Sequence, residues 1–265
     1  MRRFGLIGYP LSHSFSRKYF KEKFKRENIS DASYQLFPIQ SLVEFPNVIH
    51  QMPELLGLNV TIPYKIDIIP FLDEVDITAK EAGAVNTIKV IKLREADPIS
   101  TDEWSEQSLN LDHVKLIGYN TDVYGFEITL KPLLQPIHTK ALILGTGGAS
   151  KAVEYVFKKL GINYLLVSRN PEGPNEVGYN ELNETAIRQF PLIVNTTPLG
   201  MFPDTDQFPL IPYEFITENN FLYDLIYNPE ETIFLKKGRE KGAITQNGLS
   251  MLKLQAEKAW EIWNS

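Results

Sequence analysis

Residues 140–161 read KALILGTGGASKAVEYVFKKLG, and the fold turns on them. An apolar run ends in the turn GTGGAS (145–150) and passes directly into an amphipathic segment, the order strand, glycine turn, helix. Glycines placed there let the backbone approach a pyrophosphate, and the free N–H groups and dipole at the helix start favour its negative charge. A plain tight connection uses the same residues, and Ser150 stands where G-x-G-x-x-G takes glycine or alanine, so the turn alone leaves both readings open. Its setting between strand and helix favours a dinucleotide site.

Downstream, NYLLVSR (163–169) reads as the second strand and ends in Ser168-Arg169-Asn170. An NAD site usually carries an acid about 20 residues beyond the glycines for the ribose 2′-hydroxyl, whereas an NADP site offers positive charge to the 2′-phosphate. With no acid at the strand end and a guanidinium present, NADP is favoured; ordinary surface charge remains the other reading of Arg169, and Glu172 lies nearby. LIVNTT (192–197) and FLYDL (221–225) are further strands. Asn228-Pro229-Glu230-Glu231 predicts a helix start, with Asn228 as cap, Pro229 at the first position and Glu231 closing the box. A final helix, Leu249 to Trp263, fits either half of the chain.

Upstream the alternation continues. FGLIG (4–8), YQLFPI (34–39) and LGLNVT (56–61) read as strands, and residues 14–28 as a helix with Phe15, Tyr19, Phe20 and Phe24 on one face. Residues 89–119 predict a hairpin whose long acidic tip, Asp97–Asn110, reads as a solvated loop without assigned function, and DVYGFEITLKPLL (122–134) as a helix. Strands alternating with amphipathic segments imply an α/β protein with mostly parallel sheets, and 265 residues suit two domains.

Composition narrows the function. Hydrophobic residues at 43% and charged residues at 23% describe a globular chain, and a net charge of −6 without a basic stripe argues against nucleic acid and for small-molecule partners. Absence of cysteine excludes disulfides, thiolate catalysis and cysteine-ligated metals, while His13, His50, His113 and His138 lack metal-ligand spacing, so no metal site is expected. MRRFGLIGYP is broken by Pro10 too early for a signal-peptide core, and no apolar run approaches the roughly 20 residues of a membrane span. Cytoplasm is the expected compartment.

HSFS (13–16) sets Ser14 and Ser16 at a helix start, where one serine caps the helix or both hydroxyls, beside its positive end, bind a carboxylate. His13, with no acid partner in sequence, reads as structural. In NVTIPYK (59–65), Lys65 follows the carboxyl end of a strand, where open α/β sheets bind their ligands, and Pro63 helps end the ladder.

GYPLSHSFS, NVTIPYK, GAVNT (83–87), GYNTD (118–122), GTGGAS, NTTPLGM (195–201), the Tyr227 region and NGLSML followed by Gln255 occur in an order that resembles the shikimate dehydrogenase family over nearly the whole chain. The resemblance implies reduction of 3-dehydroshikimate to shikimate with NADPH, in aromatic amino-acid biosynthesis. It also implies a substrate domain of residues 1–121 plus 247–265 and an NADP-binding Rossmann domain of residues 122–246, with the active-site cleft between them. By the same resemblance Ser14 and Ser16 bind the substrate carboxylate, Thr61, Asn86, Tyr227 and Gln255 hold carboxylate or ring hydroxyls, and Lys65 and Asp122 form the catalytic pair. Gly145, Thr146, Gly147, Gly148, Ala149, Ser168, Arg169, Asn195, Thr196, Thr197 and Gly248 face NADP(H). Gln255 also makes sense from the helix itself: it shares a side with Leu252 and Ala259, and a buried amide there needs polar partners such as a polyhydroxylated ring.

The expected chemistry is hydride transfer to a ring ketone with protonation by Lys65, Asp122 orienting the ammonium; such a positioned acid is worth typically ~10²–10⁴ in rate. The chain departs from the family pattern at Tyr9, Arg17, Val123 and Ser168, and it lacks a second basic residue after Arg169. Two rival readings share most motifs: a dehydrogenase that also accepts quinate, and a non-enzymatic NADP-binding sensor on the same scaffold. Monomer and homodimer are both compatible with the sequence.

Overall fold

The computed structural model of the chain describes residues 1–11, 14–93 and 113–265. The expectations for His13 and for residues 97–110 lie outside the described residues. The chain divides into two compact units, Met1–Thr121 with Ala256–Ser265, and Asp122–Gln255.

The first unit runs β1 (Arg2–Gly8), α1 (Phe15–Arg26), β2 (Ala32–Pro38), α2 (Phe45–Gln51), β3 (Leu55–Val60), β4 (Glu74–Val75), α3 (Ile77–Ala82), β5 (Thr87–Lys92) and β6 (Val114–Tyr119). They form a six-stranded sheet in the order β2-β1-β3-β5-β6-β4. The pairs β1–β2, β1–β3 and β4–β6 are parallel, and β3–β5 and β5–β6 are antiparallel, the latter being the expected hairpin. Side chains alternate across the pleat: Phe4 and Leu6 join Phe20, Phe24 and Trp263 on one face, while Ile7 joins Leu58, Val60 and Ile88 on the other.

The second unit follows with α4 (Thr121–Leu130), which begins at the boundary, then β7 (Lys140–Leu144), α5 (Gly148–Leu160), β8 (Asn163–Ser168), β9 (Glu176–Gly178), α6 (Glu184–Gln189), β10 (Leu192–Asn195), β11 (Phe221–Asp224), α7 (Ile233–Glu240), β12 (Ile244–Gln246) and the start of α8 (Leu249–Asn264). Its sheet is parallel throughout, in the order β12-β11-β10-β7-β8-β9. Numbered within the unit that order is 6-5-4-1-2-3, the doubly wound dinucleotide-binding arrangement. Leu142, Leu144, Val167, Ile193 and Leu222 fill one core of this sheet, with Phe234 and Leu235 of α7 over them.

Three local expectations change. The helix expected over 122–134 ends at Leu130, and residues 131–133 tighten into a 3₁₀ turn at Pro132. Asn228 caps nothing: α7 starts at Ile233, with the Thr232 hydroxyl accepting from the Leu235 N–H, because Thr232 is pinned by Asp224 beneath it; Glu231 pairs with Arg239 instead. Finally, α8 is shared between the units, its residues 249–255 counted with the second and 256–264 with the first, whereas the expected return was at 247. The reason is packing at each end. The backbone of Gly248 lies against Leu225, leaving no space for a Cβ, and Ala256, Ala259 and Trp263 sit among Phe4, Phe20 and Tyr34.

Among the described residues no helix is long and apolar enough to cross a membrane.

Candidate functional site

In the second unit the strand order reverses between β7 and β10, and ligands of open parallel sheets bind at the carboxyl ends of strands at that point. Gly145 follows β7 with φ of +105°, a conformation open to glycine, and a Cβ there would stand 2.9 Å from Thr196 Oγ1 and 3.0 Å from Thr197 Cγ2. The glycine turn and the Asn195–Thr197 loop therefore touch. Thr196 fastens them further, its N–H and hydroxyl both donating to the Leu144 carbonyl at 3.0 and 2.7 Å.

Among the described residues no side chain caps α5. Its first N–H groups are left for an anion. A Cβ on Gly147 would meet nothing within 4 Å, so the turn has room for a phosphate above it. Gly148 and Ala149 open the helix, and Thr146 and Gly147 are exposed before it. Ser150, the departure from the glycine pattern, is fully buried and donates its hydroxyl to the Gly147 carbonyl at 2.8 Å, which secures the turn from inside. At the end of β8, Ser168 holds Asn170 in a turn, accepting from its N–H at 3.2 Å and donating to its carbonyl at 3.1 Å. Arg169 is exposed and makes no hydrogen bond or ion pair among the described residues; its charge opposes the rise in the Tyr179 pKa that burial causes.

Sequence reasoning missed the polar centre of this unit. Asp224, at the end of β11, is 0% exposed. Its Oδ1 accepts from Asn195 Nδ2 and from the Ile226 N–H, both at 3.0 Å, and its Oδ2 accepts from the Thr232 hydroxyl at 2.6 Å. Burial pushes the carboxyl pKa up to about 7, against the pull of those three donors. Asn195, also 0% exposed, turns its Oδ1 to the N–H and hydroxyl of Thr197, at 3.0 and 2.7 Å. Ile226 in turn accepts from the Gly248 N–H at 2.9 Å, and its neighbour Tyr227 is half-buried with its phenol pKa raised by burial. The available signal was a lone acid inside an apolar strand, FLYDL.

In the first unit Ser14 precedes α1 in extended conformation, yet its hydroxyl makes no cap bond and is a buried oxygen without a partner among the described residues. Ser16 is buried in the first turn of α1, where its hydroxyl opposes the rise in the Tyr34 pKa that burial causes. From there a neutral relay crosses the sheet. Tyr34 donates to Asn59 Oδ1 at 2.7 Å, Asn59 Nδ2 donates to Thr87 Oγ1 at 3.2 Å, and the Thr87 hydroxyl donates to Asn86 Oδ1 at 3.1 Å. Asn86 Oδ1 also accepts the N–H of Thr121 at 2.7 Å and its hydroxyl at 3.1 Å. That fills the carbonyl side of Asn86 and leaves its amide N–H groups without a bond among the described residues. Tyr34, Thr87 and Thr121 too were unread in the sequence, though each is polar within or beside an apolar run.

Lys65 lies in the turn after β3, half-buried, and its carbonyl accepts from the Val85 N–H at 2.7 Å, which ties it to the GAVNT segment. Beside it Tyr64 is buried and donates to the Ile39 carbonyl at 2.8 Å. Thr61 is held at the end of β3 by its N–H, donated to the Ile7 carbonyl at 3.0 Å. Ser14, Ser16, Thr61, Lys65 and Asn86 all belong to the first unit; Asp122, 8% exposed in the first turn of α4, and Gln255, 6% exposed in α8, are counted with the second.

The family described as the shikimate dehydrogenase substrate binding domain matches residues 6–88. A shikimate dehydrogenase (NADP(+)) of Carboxydothermus hydrogenoformans is 37% identical, over 98% of this chain and 90% of its own length. The chain belongs to the shikimate dehydrogenase family. A crystal structure of shikimate dehydrogenase 1 from Peptoclostridium difficile is 36% identical, covers 100% of this chain and 92% of its own, and superposes with a TM-score of 0.80. Another family structure, shikimate 5-dehydrogenase of Thermus thermophilus in complex with NADP(H) and shikimate, is 28% identical with a TM-score of 0.78, covering 99% of this chain and 93% of its own. The likeness to these family structures extends over nearly the whole of this chain.

Proposed function

We propose that the chain is an NADP-dependent oxidoreductase that interconverts 3-dehydroshikimate and shikimate, the pathway step of aromatic amino-acid biosynthesis. Relatedness to NADP-dependent shikimate dehydrogenases along nearly its whole length carries this reading. The residues supply a coherent set of roles. The buried Ser14 hydroxyl, unpartnered among the described residues, and its neighbour Ser16 suit a substrate carboxylate, since a buried hydroxyl without a bond costs about 1–3 kcal/mol that an incoming acceptor removes. Asn86 offers its amide N–H groups to ring hydroxyls, joined by Thr61, Tyr227 and Gln255.

The hydride comes from bound NADPH, held by the glycine turn and the start of α5, with Ser168 and Arg169 taking the 2′-phosphate end and Thr196, Thr197 and Gly248 the other. Lys65 delivers the proton to the carbonyl oxygen as it becomes an alkoxide and takes it back in the oxidative direction. Asp122 orients the Lys65 ammonium and binds a substrate hydroxyl. In this reading residues 1–121 with the carboxyl-terminal helix form the substrate domain and the doubly wound unit the cofactor domain. The protein acts on small molecules in the cytoplasm, as a monomer or homodimer, and the net charge of −6 argues against a nucleic-acid partner.

Shikimate-dependent NADP reduction, followed by absorbance and compared with quinate as substrate, tests the reading. Lys65→Ala is expected to lower kcat by ~10² or more while NADPH binding stays near wild type. Unchanged turnover in that variant removes Lys65 from the mechanism, and no turnover of shikimate by the wild type rejects the function.

A further inference from the structure

One oxygen in the second unit ties together two segments that carry predicted site residues, the Asn195–Thr197 loop and the Ile226–Tyr227 segment. Asp224 Oδ1 accepts from Asn195 Nδ2 and from the Ile226 N–H, both at 3.0 Å. A carboxamide has a donor end and an acceptor end, so fixing Nδ2 of Asn195 on an oxygen that accepts from it fixes its Oδ1 on the opposite side. There Oδ1 receives the N–H and the hydroxyl of Thr197, and the Thr197 oxygen receives the Leu199 N–H at 3.3 Å. On its other side the same Asp224 oxygen holds Ile226, whose carbonyl takes the Gly248 N–H and whose neighbour is Tyr227.

Neither Asp224 nor Asn195 has surface to give a ligand, as both are 0% exposed. Ordinary core packing does not explain the choice. A buried carboxyl among Tyr223, Leu222 and Ile226 is costly, and an apolar side chain in its place would fill the same volume without that cost. What an apolar side chain lacks is direction.

We propose that Asp224 is a positioning residue for cofactor binding: through Oδ1 it sets the donor–acceptor direction of the Asn195 carboxamide, and so the shape of the Thr196–Thr197 loop against the glycine turn. Asn195 then acts through the loop it shapes, without touching the cofactor. The inference rests on the proposed NADP site but not on the identity of the substrate.

The test is calorimetric titration of the full chain with NADP⁺, which reads binding whether or not shikimate is turned over. Asn195→Asp removes the amide donor to Asp224 and sets two carboxyl groups against each other; NADP⁺ affinity is expected to fall roughly tenfold or more. Asp224→Asn alone keeps an acceptor oxygen for Asn195 and Ile226, and affinity is expected to stay within about threefold. Combined with Asn195→Asp, the same change supplies an N–H donor to the new carboxylate. The pair is then reversed in direction but matched, and affinity is expected to recover at least about threefold over Asn195→Asp, short of wild type because the Ile226 N–H loses its acceptor. If Asn195→Asp does not fold, the recovery is read as regained folding in the double variant.

Thr232→Val supplies the contrast. It removes the bond to Oδ2 and the cap of α7, so it lowers the melting temperature but leaves NADP⁺ affinity within about twofold. Wild-type affinity in folded Asn195→Asp, no recovery in the double variant, or an equal loss of affinity in Thr232→Val would each overturn the proposal. Failure of shikimate turnover with the binding pattern intact would reject the substrate and leave the positioning role standing.

Discussion

The two units hold their predicted site residues by different means. In the first, five neutral side chains pass hydrogen bonds along a line from Tyr34 through Asn59 and Thr87 to Asn86 and Thr121, each member holding the next. In the second, a single carboxyl gathers Asn195, Ile226 and Thr232 around itself. Loss of Tyr34, at the end of the line, breaks one link within it, whereas loss of the hub releases every group attached to it. Neutral groups also avoid the desolvation that a buried carboxyl suffers, so the first design is cheap at each position and the second concentrates its cost at one.

The largest expected effect follows from the hub. Asp224→Ala leaves the Asn195 amide, the Ile226 N–H and the Thr232 hydroxyl as buried donors without an acceptor, each worth about 1–3 kcal/mol. Urea denaturation is expected to show a loss of several kcal/mol. A loss below about 1 kcal/mol would mean that the three donors find other partners, and the contrast between hub and line would be lost.

Tyr34→Phe probes the line and is expected to be milder. It deletes the donor to Asn59 Oδ1 and the hydroxyl that Ser16 influences, while the ring keeps its stacking on Phe20 at 4.6 Å. About 1–2 kcal/mol of stability should go, with the KM for shikimate raised more than kcat is lowered, because Ser16 and Asn86 lose support but Lys65 does not. Equal damage to kcat and to KM would show that the relay reaches the proton-transfer machinery as well.

How much of this was legible depends on what carries each signal. The second unit was readable because KALIL, the glycine turn and the amphipathic α5 stand next to each other, so the short range of sequence captures the whole device. Ser14, Ser16, Lys65 and Gln255 were marked out by polar groups at helix starts, strand ends or helix faces. The supporting bonds were not, because they join residues far apart in the chain: Asn195 to Asp224 spans 29 positions and Thr87 to Thr121 spans 34. The start of α7 failed for a related reason. Asn228-Pro229 has good local capping chemistry, but Thr232 is bound to Asp224 eight residues earlier, and that buried bond decides where the helix begins. Local propensity yields to a tertiary partner.

The smallest effect separates the two designs by charge. The Asp224 carboxyl is raised from its ordinary 3.8 to about 7 by burial, with Thr232, Ile226 and Asn195 opposing, and Tyr213 is the titratable group that feels its charge. Between those two values the folded protein holds a proton that the unfolded chain releases. Its contribution is therefore full below pH 3.8 and fades as pH rises through about 7. In the relay the only titratable member, Tyr34, is pushed by burial above the ordinary tyrosine range, so this line stays neutral across the same interval. Melting temperature measured from pH 5 to pH 8 should fall more steeply in the wild type than in Asp224→Asn, where the titrating group is gone, at about 2–4 °C for each kcal/mol of linked stability. Tyr34→Phe should keep the wild-type slope. Parallel slopes for wild type and Asp224→Asn would place the carboxyl in one protonation state throughout, and the hub would then differ from the line in its branching alone.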